Sequence, residues 1–411
     1  MSTFNKTSQY YKFCFYGFLK NLRFFDAFFI LFLLDKGISY TEIGLLYAIR
    51  EIFINIFEIP SGIVADAFGR KNALMSSFLA YIASFVIFYF ATDFWWFMFA
   101  FILYGVGEAF RSGTHKGMIM DYLKLNNWSN QKINYYGHTR ACSQKGSAIS
   151  SLIAGGLVFF SGSYQNIFLF SIIPYIINFA LIWSYPNQLN NSISKKSSKN
   201  KAVKNTFSTF WKVIKQPGVL KIINTSALHS AYLKALKDYI QPLLLNIAIV
   251  LPFLTNIEVS KRNGIVVGIS YFVIYLLTSQ ASKSAGNFSK NKKIDVSNFT
   301  LILGFTSGLL VGVFFYKQMW FLALLAFVGI YIIENLRKPI LTGYVADNVP
   351  NEILTSVMSV QSQLKTVITA ILAFTFGLIA DNFGIGIAFI TTSSFLLIST
   401  FVVSNIKVSA N

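Results

Sequence analysis

Residues 58–71 read EIPSGIVADAFGRK. An apolar stretch that begins near Tyr40 ends here on Gly62, Asp66 and Gly69. The basic pair Arg70-Lys71 follows before apolar residues resume. Apolar runs of about 20 residues on both sides are each long enough to cross a roughly 30 Å hydrocarbon layer as a helix. The stretch therefore reads as two membrane helices joined by a tight turn, and its basic pair places that turn on the cytoplasmic side.

The same pattern recurs along the 411 residues. The chain is 54% hydrophobic, and its 12% of charged residues is about half the share of an average soluble domain. A water-soluble enzyme would need a charged shell that this composition cannot supply. Apolar runs mark twelve spans at 11–34, 40–65, 72–91, 95–115, 141–162, 165–185, 219–248, 263–283, 297–315, 318–337, 353–379 and 386–405. The segment before Tyr10 lacks the apolar core and small-residue cleavage site of a signal peptide, so the first span is expected in the mature chain. Two cysteines, Cys14 and Cys142, and three histidines form no spaced ligand set, so no metal or cofactor is expected.

Charge sets the topology. With the N-terminus inside, the cytoplasmic connections carry Arg70, Lys71, Lys116, Lys124, Lys132, Arg140, seven lysines from Lys195 to Lys215, Lys283, Lys290, Lys292, Lys293, Arg337 and Lys338. The opposite loops hold Lys36, Lys261, Arg262 and Lys317. This bias predicts a multi-pass protein of the cell membrane with both termini cytoplasmic, and it accounts for the net charge of +19 without nucleic acid. The run FWWFMF (94–99) falls at an outer membrane edge and reads as an aromatic anchor.

Residues 186–218, with NQLNNSISKKSSKNKAVKN at their core, are too polar to bury a core and read as a cytoplasmic linker. They separate an N-terminal six-helix bundle (1–185) from a C-terminal one (219–411). Two patterns recur between the halves. Glu108, Arg111 and Asp121, assigned to the fourth helix and its cytoplasmic end, share the spacing E-x2-R-x9-D with Glu334, Arg337 and Asp347 of the tenth. Gly62, Asp66 and Gly69 share G-x3-D-x2-G with Gly377, Asp381 and Gly384 at the opposite face, as inverted-topology repeats require.

With these residues in place, EIPSGIVADAFGRK resembles the signature of the major facilitator superfamily between its second and third helices, G-x3-D-x2-G-R-[KR]. The spans, linker and repeats extend the resemblance over nearly the whole chain. It implies an all-α integral membrane fold of 12 transmembrane helices in two six-helix bundles. It also implies a cytoplasmic gate in which the motif's Asp contacts helix 11 and its Arg pairs with an acid of helix 4. By position these are Asp66, Arg70 and Asp121, held by the turn glycines Gly62 and Gly69. Three features depart from the family pattern. Phe101 stands where many proton-coupled members have Arg, Ser150 and Ser151 replace the Gly-Pro step of the antiporter signature, and the turn SQASKSAGNFSKN between spans 8 and 9 lacks the Asp.

Ionisable groups inside a bilayer are functional candidates by default. Span 1 sets Lys20, Arg23 and Asp26 on one face, with Arg23 about 20 Å from Tyr10 at 1.5 Å per residue. Arg23 and Asp26 can equally be a local pair. Span 7 carries Lys234, Lys237 and Asp238, then Gln241 and Pro242, whose missing N–H should bend the helix. Spans 4 and 10 add Glu108, Arg111, Glu334 and Arg337. The resemblance gives these helices a shared cavity, so the candidate substrate and proton residues are Arg23, Asp26, Glu108, Arg111, Lys237, Asp238, Gln241, Glu334 and Arg337. The stripe Glu51, Asn55, Glu58 reads as structural, with Arg50 neutralising Glu51. His229 reads as a polar packing contact.

The expected function is secondary active transport of a small organic solute by alternating access, proton-coupled and directed to efflux, in a lipid-embedded monomer. A facilitative uniporter or an importer of the same fold stays open, as does a multipass membrane enzyme. An enzyme would need clustered catalytic groups at one membrane face, and no such motif occurs, so none is expected. Six deep cations (Lys20, Arg23, Arg111, Lys234, Lys237, Arg337) against four acids tilt the substrate towards an anion or zwitterion. If protons drive transport, an acid that loses its basic partner as the halves rock would carry them, with Glu108 and Glu334 foremost.

Overall fold

A computed structural model of the chain describes residues 6–128, 131–190, 217–252, 255–289, 296–348 and 351–405. Among these every regular element is a helix. That is the outcome expected where hydrocarbon leaves no water to satisfy backbone groups, so each segment must bond within itself. In chain order the helices are α1 (Ser8–Lys20), α2 (Phe29–Asp35), α3 (Tyr40–Phe68), α4 (Arg70–Phe90), α5 (Phe94–Arg111), α6 (Thr114–Leu125), α7 (Lys132–Ser161) and α8 (Asn166–Trp183). After the linker come α9 (Pro217–Leu236), α10 (Ile240–Val250), α11 (Val259–Ser289), α12 (Val296–Tyr316), α13 (Trp320–Asn348), α14 (Asn351–Phe383) and α15 (Ile385–Asn405).

Helix occupies each of the twelve sequence spans. Among the described residues seven helices are long and apolar enough to cross a membrane on those grounds alone. The others are interrupted or carry charged and hydroxyl side chains, and they hold most of the candidate site residues.

Two interruptions matter. α1 stops at Lys20 because Asn21 takes over the carbonyls that would extend it. Its side-chain Nδ2 donates to the Gly17 carbonyl (3.1 Å) and to the Ser143 carbonyl (2.8 Å), and its backbone N–H turns to Phe18 (3.1 Å). A 3-10 turn, Phe24–Ala27, follows before α2. The seventh span breaks in the same manner. α9 ends at Leu236, a 3-10 turn spans Lys237–Tyr239, and α10 opens with Ile240, Gln241 and Pro242. Pro242 sits in the first turn of α10, where its missing N–H is tolerated. Each turn carries an acid, Asp26 or Asp238, just after a base, Arg23 or Lys237.

The chain forms two compact units, Met1–Phe32 with Ile52–Lys199 and Phe253–Tyr275, and Leu33–Glu51 with Asn200–Pro252 and Leu276–Asn411. Relative to the sequence halves, two segments, 33–51 and 253–275, have changed places.

In the first unit α1 packs on α7 and α8, and α4 packs on α5 and α8. Aromatic rings fill the core, with Phe25 stacked on Phe168 (5.3 Å between centroids) and Phe29 on Phe101 (5.1 Å). Phe101, which replaces the Arg of many proton-coupled members, is thus a core residue. α7 meets α11 backbone to backbone, since a Cβ on Gly155 would lie 2.6 Å from the Gly264 carbonyl, and one on Gly268 3.0 Å from the Gly155 Cα. Small residues allow this approach where lipid gives helices no hydrophobic drive to associate. Asp93 caps α5 by accepting from the Trp95 N–H (3.0 Å), leaving Trp95 and Trp96 exposed as an anchor would require.

In the second unit α12 packs on α13 and α15, and α9 on α14. The start of α3 lies against the end of α14, and a Cβ on Gly377 would come within 3.2 Å of the Gly44 Cα. Asp381 caps α3 there, accepting from the backbone N–H groups of Tyr40 (2.8 Å) and Thr41 (2.7 Å). The second copy of G-x3-D-x2-G is therefore a helix cap.

Candidate functional site

The 3-10 turn after α1 turns Arg23 towards α5. Its Nε lies 3.1 Å from Asp26 Oδ2, and its Nη1 donates to the Tyr104 hydroxyl (2.6 Å) and lies 3.6 Å from Glu108 Oε1. One turn along α5, Arg111 Nη2 holds Glu108 Oε2 (2.5 Å), while its Nε donates to the Tyr81 hydroxyl (3.0 Å). Glu108 therefore sits between two guanidiniums. The local Arg23–Asp26 pair and the wider network are both present.

The second unit spends the same residue types differently. Glu334 on α13 accepts from Ser230 and lies 2.8 Å from His229 Nδ1, both on α9. Arg337, only 1% exposed, donates instead to Thr300 Oγ1 (2.5 Å) and to the Thr225 carbonyl (2.8 Å). The E-x2-R spacing repeats, but its ion pair does not. His229 Nε2 has no hydrogen-bond partner among the described residues and faces Gly304, whose missing Cβ makes room for the ring. Lys237 pairs with Asp238 (3.2 Å), and the Tyr47 hydroxyl donates to the same carboxylate (3.1 Å). Gln241 is fully buried at the start of α10.

At the turn quoted first, Gly69 adopts φ +96°, a left-handed conformation that favours glycine. Arg70 bonds Asp121, as the resemblance implies. Gly117 on α6 lets it through, because a Cβ there would lie 2.6 Å from Arg70 Nη1. Gly62 lies one turn before Asp66 on α3. The side chain of Asp66 and those of Asp347 and Lys283 lie outside the described residues, as do Lys290, Lys292, Lys293 and most of the linker.

The linker's first residues correct the sequence reading of 186–218. Residues Asn187–Leu189 form a 3-10 turn, Leu189 is 2% exposed, and Asn190 receives the Arg70 N–H on its carbonyl (2.9 Å) and the Lys71 N–H on Oδ1 (3.0 Å). Lys71 Nζ donates to the Tyr185 carbonyl (2.9 Å). The motif turn thus rests on the linker's start. One apolar Leu between asparagines was the available signal.

Two further residues join the site. Glu51, with no exposed surface, takes Lys234 (2.5 Å) as well as Arg50 (3.2 Å). Lys365 on α14 lies among Lys234, Lys338, Glu334 and Glu51.

The sequence profile of the Major Facilitator Superfamily matches residues 14–373. The "Uncharacterized MFS-type transporter YxaM" of Bacillus subtilis (strain 168) is 22% identical over 382 residues, covering 91% of this chain and 89% of that protein. Among solved structures, the nucleoside transporter NupG matches with a TM-score of 0.77 at 11% identity, over 98% of this chain and 100% of that one. The peptide transporter POT in complex with sulfate matches at 0.74 and 12%, over 99% and 95%. A D-xylose-proton symporter matches at 0.68 and 13%, over 97% and 96%. At these identities the solved structures share the fold. The profile covers most of the chain, including the Arg70–Asp121 turn and both interrupted helices. This chain is a member of the Major Facilitator Superfamily.

Proposed function

We propose that the protein is a secondary active transporter of a small organic solute, coupled to protons through Glu334 and working by alternating access as a monomer with both termini cytoplasmic. The direction is efflux, on the resemblance of residues 58–71 to many bacterial members. The observation that carries the reading is the paired interruption of the first and seventh spans. Each sets a base and an acid at a 3-10 turn amid apolar helix, Arg23 just before the first turn and Lys237 opening the second, and broken helices at mid-depth are where transporters of this architecture build their sites.

Among the four deep acids, Glu334 has the partners that suit a proton carrier. Asp26 and Asp238 each have an adjacent cation, and Glu108 is held by two arginines that stay charged. Glu334 faces His229 and Ser230 from α9 and Lys365 from α14, with Arg337 turned away on its own helix. Its hydrogen-bond partners, His229 and Ser230, can be neutral, so a proton can join the carboxylate without breaking an ion pair to an arginine.

The test is reconstitution. Solutes that raise the melting temperature of the purified protein are supplied to proteoliposomes under an imposed proton gradient. Accumulation against the solute's gradient, abolished by an uncoupler, is expected. Saturable equilibration indifferent to the gradient would identify a facilitative uniporter, and covalent change of the solute an enzyme.

A further inference from the structure

Lys20 is the last residue of α1. Its carbonyl accepts from the Tyr175 hydroxyl (3.1 Å), which fixes the backbone, yet its ammonium has no acceptor among the described residues. The charged groups that bear on it are Arg111, Arg23, Arg140 and Glu108. The carboxylates of this cluster are already engaged, Asp26 by Arg23 and Glu108 by Arg23 and Arg111. Lys20, Arg23, Arg111 and Arg140 against Asp26 and Glu108 leave four cations to two anions, an excess of positive charge.

One turn back on the same face of α1, Tyr16 is 2% exposed, lies flat on His115 (3.6 Å between ring centroids) and is held beside Arg111. Its O–H also finds no acceptor among the described residues. Two donors one helical turn apart on α1, neither with an acceptor among the described residues, therefore lie in the field of Arg111. Buried donors without acceptors are costly, and an uncompensated ammonium inside a membrane is more so.

We propose that Lys20 and Tyr16 bind the carboxylate or phosphate group of a small organic anion, which makes the substrate class anionic. The inference deepens the transport reading and rests on it only for the fate of the anion. The binding geometry belongs to the first unit alone. The anion accepts from Lys20 Nζ and Tyr16 Oη, and Arg111, already spent on Glu108, adds field without a new bond.

The experiment is a thermal-shift titration of the purified full chain with inorganic phosphate, lactate and benzoate as sodium salts, against sodium chloride of equal ionic strength. At least one of these anions should raise the melting temperature of the wild type. The apparent affinity should fall at least about tenfold in Lys20→Gln and less in Tyr16→Phe, as loss of a charged and of a neutral hydrogen bond predicts. Lys20→Gln without ligand should melt at or above the wild type, since it removes an unpaired charge, whereas a structural lysine would lower it.

The proposal is overturned if none of the three anions binds, if Lys20→Gln and Tyr16→Phe both bind as the wild type does, or if Lys20→Gln melts lower without ligand. It is likewise overturned if only phosphatidylglycerol added to the micelles gives a Lys20-dependent shift, which would place a lipid headgroup there. Failure of the transport reading looks different. Anions would then bind through Lys20 while proteoliposomes move none of them. Gradient-driven uptake of a neutral or cationic solute without anion binding would leave transport standing and remove this inference.

Discussion

Glu108 with Arg111 and Glu334 with Arg337 have the same spacing on corresponding helices, yet only the first couple is a pair. In the first unit Arg23, freed by the break after α1, joins Arg111 on Glu108. In the second, His229 and Ser230 on α9 take Glu334, and Arg337 is left to the threonines and carbonyl around it. A local motif fixes which residues face the same way on a helix. The neighbouring helix decides whom they meet, so a duplicated motif can close on itself in one copy and turn to another helix in the other.

That comparison is broken most forcefully by exchanging the acids. Glu334→Gln should lower gradient-driven accumulation by a factor of at least about 100 while solute exchange persists, the signature of lost coupling energy rather than lost binding. Equal loss of exchange and accumulation in proteoliposomes would contradict it. Glu108→Gln should act on stability instead. It leaves Arg111 without its carboxylate and takes one of two from Arg23, and the cost should be about 2–3 kcal/mol, below the range for a fully buried pair because these side chains keep some exposure. Thermal melts should show that loss, partly recovered in Glu108→Gln/Arg111→Gln.

Arg337→Met should cost about 1–3 kcal/mol through the unsatisfied Thr225 carbonyl, with the transport KM unchanged. A raised KM at unaltered stability would return Arg337 to the substrate site. The smallest effect is expected at Asp381, where Asp381→Ala removes the cap of α3. About 0.5–2 kcal/mol is at stake, read as faster amide exchange at Tyr40 and Thr41.

These contrasts mark how far the sequence could be read. The spans followed from apolar runs of membrane length, and Arg70–Asp121 from the resemblance of residues 58–71 to a family signature. The Arg23–Asp26 and Lys237–Asp238 pairs are neighbours along the chain and could be read from spacing. What stayed hidden depends on how separate helices rotate against each other. His229 and Ser230 lie 105 and 104 residues from Glu334, and no periodicity relates them. Lys234 reaching Glu51 and Gly117 making way for Arg70 are of the same kind. The docking of Leu189 and Asn190 was masked by the polar residues that follow them.

The central claim, that the two copies have divided into a clamp and a proton carrier, is tested most directly without any solute. Infrared difference spectra of the reconstituted protein between alkaline and acidic pH report the carbonyl stretch of a newly protonated carboxylic acid. A band present in the wild type and in Glu108→Gln but absent from Glu334→Gln is the predicted result. A band that survives Glu334→Gln and disappears in Glu108→Gln would contradict the account.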